Sequence, residues 1–69
     1  MRKYRSVSGI KRTATMERVE GSYGPYHGSY VLVSTESDLG HAYGRFGNYS
    51  DAFDWLVSEF GCGWVKVRD

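Results

Sequence analysis

Sixty-nine residues make one domain, near the lower limit at which a single core is enough, because so short a chain buries only about 60% of its unfolded surface. With 41% hydrophobic and 25% charged residues and no low-complexity run, the composition is globular, and the size leaves little room for a deep cleft or two separate sites. The net charge of +1 hides a division: residues 1–18 carry six cations against one acid, and residues 19–69 three against seven, so a beginning of +5 precedes a body of −4.

Met1 to Gly9 is polar and basic, with no apolar stretch behind its cations. It is expected to be an irregular or short extended, flexible lead-in and not a signal peptide. From Ile10 to Val19 residues alternate, with Ile10, Arg12, Ala14, Met16 and Arg18 on one side, which predicts a strand. Gly21 to Tyr30 interleaves Gly and Pro with Tyr and reads as a loop. Its Tyr23 and Tyr26 either mould themselves to a partner or fold back over the sheet edge. Tyr30 to Thr35 predicts a second strand, Glu36 to Gly40 a turn, and His41 to Phe46 a third, glycine-weakened strand.

The spacing predicts a helix from Tyr49 to Phe60, with Asn48 or Ser50 as N-cap, Asp51 in the first turn and Gly61 as the stop. At about 100° per residue Tyr49, Phe53, Leu56, Val57 and Phe60 form one stripe, and Trp55 falls roughly 140° from its centre. There it lies beside Asp51, Asp54 and Glu59, either as a flank that another element covers or as a surface for a partner. Trp64 to Arg68 predicts a last strand with Val65 and Val67 inward and Trp64, Lys66 and Arg68 outward. The expected fold class is α+β: a three- or four-stranded antiparallel sheet with one helix packed on one face, in the order β-β-β-α-β.

One helix covers one face of such a sheet. Alternation then assigns Tyr30, Leu32, His41, Tyr43, Arg45, Trp64, Lys66 and Arg68 to the open face. Aromatic and basic side chains on neighbouring strands suit two uses. They anchor protein interfaces, where Trp, Tyr and Arg dominate, a homodimer closing the two open faces being one variant. They also stack and neutralise single-stranded nucleic acid. The near-neutral total favours the protein partner. Two candidate surfaces result: a helix face of Asp51, Asp54, Trp55 and Glu59, and a sheet face of Tyr30, Tyr43, Arg45, Trp64, Lys66 and Arg68, with loop residues Tyr23 and Tyr26 beside it.

No enzyme is indicated. His27, His41 and Cys62 are the only histidines and thiol, and they have neither the context of a nucleophilic pair nor the spacing of a zinc site, so no catalytic residue, metal or cofactor is expected. The glycines at 21, 24 and 28 lack the ending of a phosphate loop and open no helix. Lone Cys62 is expected to be a small buried residue in a reducing cytoplasm, and no segment is long and apolar enough to span a bilayer.

The tail NYSDAFDWLVSEFGCGWVKVRD resembles the strand, capped helix, strand ending of small phage-encoded proteins that block host or defence machinery, such as anti-CRISPR proteins and inhibitors of host polymerases. The resemblance is one of shape and size and carries over no functional residue. It implies a non-enzymatic inhibitor, acting in the host cytoplasm, that occludes a site on a larger protein or ribonucleoprotein such as a CRISPR-Cas complex. The alternative is a single-stranded nucleic-acid-binding module that uses the open sheet face.

Overall fold

Period-2 alternation with β-branched residues at buried positions is what a sheet covered on one side requires, and it governs most of this chain. The computed structural model describes residues 1–7, 11–38, 40–61 and 63–67. Its elements are β1 (Arg2–Ser6), β2 (Arg12–Glu20), β3 (Ser29–Ser37), β4 (Gly40–Phe46), α1 (Tyr49–Phe60) and β5 (Trp64–Val67). Every pairing is antiparallel, and the five strands lie in the order β4-β3-β2-β1-β5. Helix α1 packs on one face, so the chain is a small α+β domain.

The sheet has one strand more than the hydrophobic pattern predicts. The lead-in contributes it: β1 lies inside the sheet, with Tyr4 opposite Ala14 of β2 on one side and Lys66 of β5 on the other. A sequence of RKYRS offers one apolar residue to alternation, so its pairing is decided by neighbours on both sides and not by its own pattern. Since β4 and β5 are the two edges, α1 crosses the whole sheet between them.

Directly opposed residues share a face. On the helix side Ala14, Met16, Val31, Val33, Ala52 and Leu56 form the buried core, and Tyr4, Phe46, Tyr49, Phe53, Trp55, Phe60 and Trp64 pack around it. Thr35, the one buried polar side chain among the described residues, lies on the same side, and its hydroxyl donates to the Ala42 carbonyl at 3.1 Å. That bond removes the cost of an unpaired hydroxyl in an apolar layer.

Helix α1 begins as its local signals dictate. Asn48 is the N-cap, its Oδ1 accepting from the Asp51 amide at 2.8 Å, and the Gly61 amide closes the far end on the Val57 carbonyl at 2.9 Å. Its rotation differs from the pattern. The buried centre is Ala52 and Leu56, whereas Val57 is 37% exposed. Ala52 is small, so it adds little to a hydrophobic pattern, yet a fully buried alanine marks where a helix backbone comes closest to its support. Turning the helix towards Ala52 brings Trp55 in as well: it is half-buried, 5.5 Å from Phe46 and 5.7 Å from Phe60 between ring centroids. Trp55 is therefore a flank seated over β4 and not an indole presented among carboxylates.

The last strand is reversed relative to its prediction. Trp64 meets Phe60 edge-on at 6.4 Å, and Lys66 lies opposite Tyr4, which itself packs on Phe53. Trp64 and Lys66 thus occupy the helix side, and Val65 and Val67 face the other way. In a strand as short as WVKV either assignment buries something apolar, and a one-residue choice flips every side chain. The indole covers more area against Phe60 than a valine would.

Candidate functional site

Among the described residues no element covers the second face of the sheet, and the register maps it. From edge to edge one row runs His41, Glu36, Thr13, Arg5, Val65, and the next runs Tyr43, Ser34, Thr15, Lys3, Val67. Arg45, Leu32 and Glu17 make a third row, and Tyr30 with Val19 a fourth. Of the expected sheet-face residues, Tyr30, Tyr43 and Arg45 are here, with Leu32 and His41. Trp64 and Lys66 are on the opposite side, and Arg68 lies outside the described residues, as do Ile10 and Cys62.

The loop before β3 adds to this face. Tyr23 and Tyr26 exchange two backbone hydrogen bonds of 2.9 Å, and the Gly21 amide donates to the Gly28 carbonyl at 3.0 Å, so the segment is a small hairpin. Gly24, at its tip, has φ of +54°, a conformation that favours glycine. The hairpin folds back. The Tyr23 ring lies 5.9 Å from that of Tyr30, and the Arg45 guanidinium carbon sits 4.4 Å from its centroid. Tyr26 turns elsewhere and packs against Gly47, so close that an added Cβ there would meet its ring at 3.2 Å.

Tyr23, Tyr30, Tyr43 and Arg45 therefore gather towards the β3 and β4 side of the open face, from one loop and two strands. Tyr43 is 63% exposed and Tyr23 49%, while Tyr30 is half-buried beneath its neighbour. Towards the β5 edge the same face carries Lys3 and Arg5 with Val65, 40% exposed, and half-buried Val67. Lys3 and Arg5 escaped the hydrophobic reading because their strand did; once β1 is placed, alternation alone puts both on this side.

The basic beginning is divided between the two faces. Arg2 and Arg18 lie over the Tyr49 ring, with guanidinium carbons 3.9 Å and 5.5 Å from its centroid, and Arg12 lies over Phe60 at 4.5 Å. Each such stack contributes about 0.5–1 kcal/mol where exposed and more where desolvated. Glu17 and Glu36 interrupt the open face with negative charge. The outer helix surface is acidic and polar, with Asp51, Asp54 and Glu59 exposed. Without an exposed indole it lacks the anchor that set it apart in the sequence.

No helix among the described residues is long and apolar enough to cross a membrane. Among them, no group of three His, Cys, Asp or Glu side chains is placed to hold a metal ion. Comparison with protein-family models, with curated proteins and with solved structures finds no match.

Proposed function

We propose that the chain is a non-enzymatic binding protein whose open sheet face docks on a larger protein or ribonucleoprotein and occludes a site there. The observation that carries this reading is the convergence of Tyr23, Tyr30, Tyr43 and Arg45 on a face that no other described element covers. Tyr and Arg are among the side chains most enriched as anchors, and rings already packed against each other, as Tyr23 and Tyr30 are, have little rotamer entropy left to lose. With extents of 36 × 24 × 18 Å, the broad side of this two-layer domain offers on the order of 800 Å², about what each partner buries in a standard interface. The likeness of its strand, helix, strand tail to small phage-encoded inhibitors supports a narrower version, in which the occluded partner is a host or defence complex such as CRISPR-Cas.

The test uses the intact chain and the partner it retains from its host. Tyr43→Ala and Arg45→Ala, at exposed positions, are expected to weaken capture about tenfold or more, and charge reversal at Asp51 and Asp54 to change it little. The opposite pattern would move the site to the helix. Sedimentation equilibrium separates the homodimer variant, in which Tyr43→Ala would dissociate a self-associated species.

Rings beside Arg45 also favour a second reading, single-stranded nucleic-acid binding. Against it stand Glu17 and Glu36 on the same face and the diversion of Arg2, Arg12 and Arg18 to the helix side. Titration with a single-stranded oligonucleotide decides: affinity falling steeply with salt supports it, and no binding at low salt removes it.

A further inference from the structure

Between the C-terminal end of α1 and the start of β4 lies an open cleft of about 240 Å³, lined by Arg12, Ser37, Gly40, His41, Ala42 and Phe60. It belongs to the helix side of the sheet, where Arg12, Ser37, Gly40 and Ala42 share a face by register, and so stands apart from the tyrosine cluster. Arg12 is its only permanent charge. The half-buried guanidinium lies over Phe60 at 4.5 Å and donates through Nη1 to Ser37 Oγ at 3.2 Å. The ring contact takes up no N–H and the hydroxyl takes a single one, so the guanidinium has further donors to offer. Among the described residues these are its contacts, and neither is a carboxylate.

We propose that this cleft is a carboxylate site that seats one aspartate or glutamate side chain of an extended protein segment. A planar guanidinium held rigid by a ring and a hydroxyl is preorganised for a planar carboxylate, which it takes with paired N–H donors. One cation matches one carboxylate, whereas a phosphate dianion calls for more positive charge than the cleft has. The volume is below the roughly 300–1,000 Å³ of ordinary small-molecule sites and suits a side-chain-sized group. Its rim is the beginning of β4, an edge strand among the described residues, and an added strand pairs with the outward backbone groups of such an edge. The site does not depend on the open-face reading, since the two surfaces are on opposite sides.

The test is an NMR titration of the labelled chain with a short blocked peptide carrying one central glutamate, its glutamine counterpart, acetate and inorganic phosphate. The glutamate peptide is expected to shift the amide signals of Ser37, Gly40, His41 and Ala42 saturably, with acetate shifting the same set more weakly. The glutamine peptide is expected to bind about tenfold more weakly or worse, as for loss of a charge-assisted pair. Arg12→Met keeps apolar cover on Phe60 and should abolish saturation. Arg12→Lys retains the charge without the fork and should weaken binding several-fold with an unchanged circular dichroism spectrum. Equal binding of the two peptides, tighter binding of phosphate than of the glutamate peptide, or indifference to both Arg12 variants overturns the proposal.

Discussion

Replacing Ala52 by Leu tests how α1 is seated. Ala52 has no exposed surface, so a leucine there must either lift the helix or displace the core beneath it, and overpacking of this kind costs about 1–3 kcal/mol. A domain of 69 residues has a total stability of roughly 3–10 kcal/mol at about 0.05–0.15 kcal/mol per residue, so the loss is a large share of it. Val57→Ala is the companion. Val57 is 37% exposed, and the better helix propensity of alanine offsets the little area it gives up, so its effect should stay within about 0.5 kcal/mol. Urea unfolding followed by far-ultraviolet circular dichroism reads both. With a slope of about 1 kcal/mol/M, Ala52→Leu should lower the midpoint by about 1–3 M and Val57→Ala should leave it nearly unchanged. A stable Ala52→Leu together with a Val57→Ala loss above about 1 kcal/mol would mean that the helix rests on the stripe containing Val57, and the rotation described above would be refuted.

Three further outcomes are expected. Asn48→Ala removes the acceptor of the Asp51 amide and should cost about 1 kcal/mol in the same unfolding assay. Gly44→Ala places a Cβ 2.7 Å from Phe46 Cε2, which pushes that ring against Trp55; a loss of about 1–3 kcal/mol with altered tryptophan fluorescence is expected, and an unchanged spectrum would contradict the packing. Trp55→Ala should lower stability by about 3 kcal/mol, as for a large ring removed from its packing, so that any loss of partner binding disappears once the folded fraction is restored.

The strands with strong alternation were legible because one buried face writes itself into every second residue: Ala14 and Met16, Val31 and Val33, and Phe46 all sit where their periodicity puts them. Helix bounds were equally legible, since Asn48 and Gly61 act through local backbone hydrogen bonds that need no tertiary partner. What failed was decided by neighbours. β1 has no pattern of its own, β5 is too short for its face to be decided by hydropathy, and the helix rotation turns on an alanine that a hydrophobic stripe barely registers. The open-face cluster was half legible. Tyr30, Tyr43 and Arg45 follow from alternation, but the contacts of Tyr23 with Tyr30 and Arg45 depend on the hairpin closed by Gly21 and Gly28.

The division of charge along the chain is explained by the way the layers meet. Alternation in β1 and β2 sends Arg2, Arg12 and Arg18 to the helix side of the sheet, where they lie over aromatic rings at the two ends of α1. At the N-terminal end two guanidiniums crowd the positive pole of the helix dipole, an arrangement that costs a few tenths of a kcal/mol, and Asp51 in the first turn offsets it. At the other end the sign is favourable. The last turn of α1 carries no basic residue of its own, and Arg12 of β2 supplies a cation beside Phe60. Three of the six cations of the +5 beginning thus fasten sheet to helix. The open face keeps Lys3 and Arg5, which Arg45 of β4 joins among tyrosines and the carboxylates of Glu17 and Glu36.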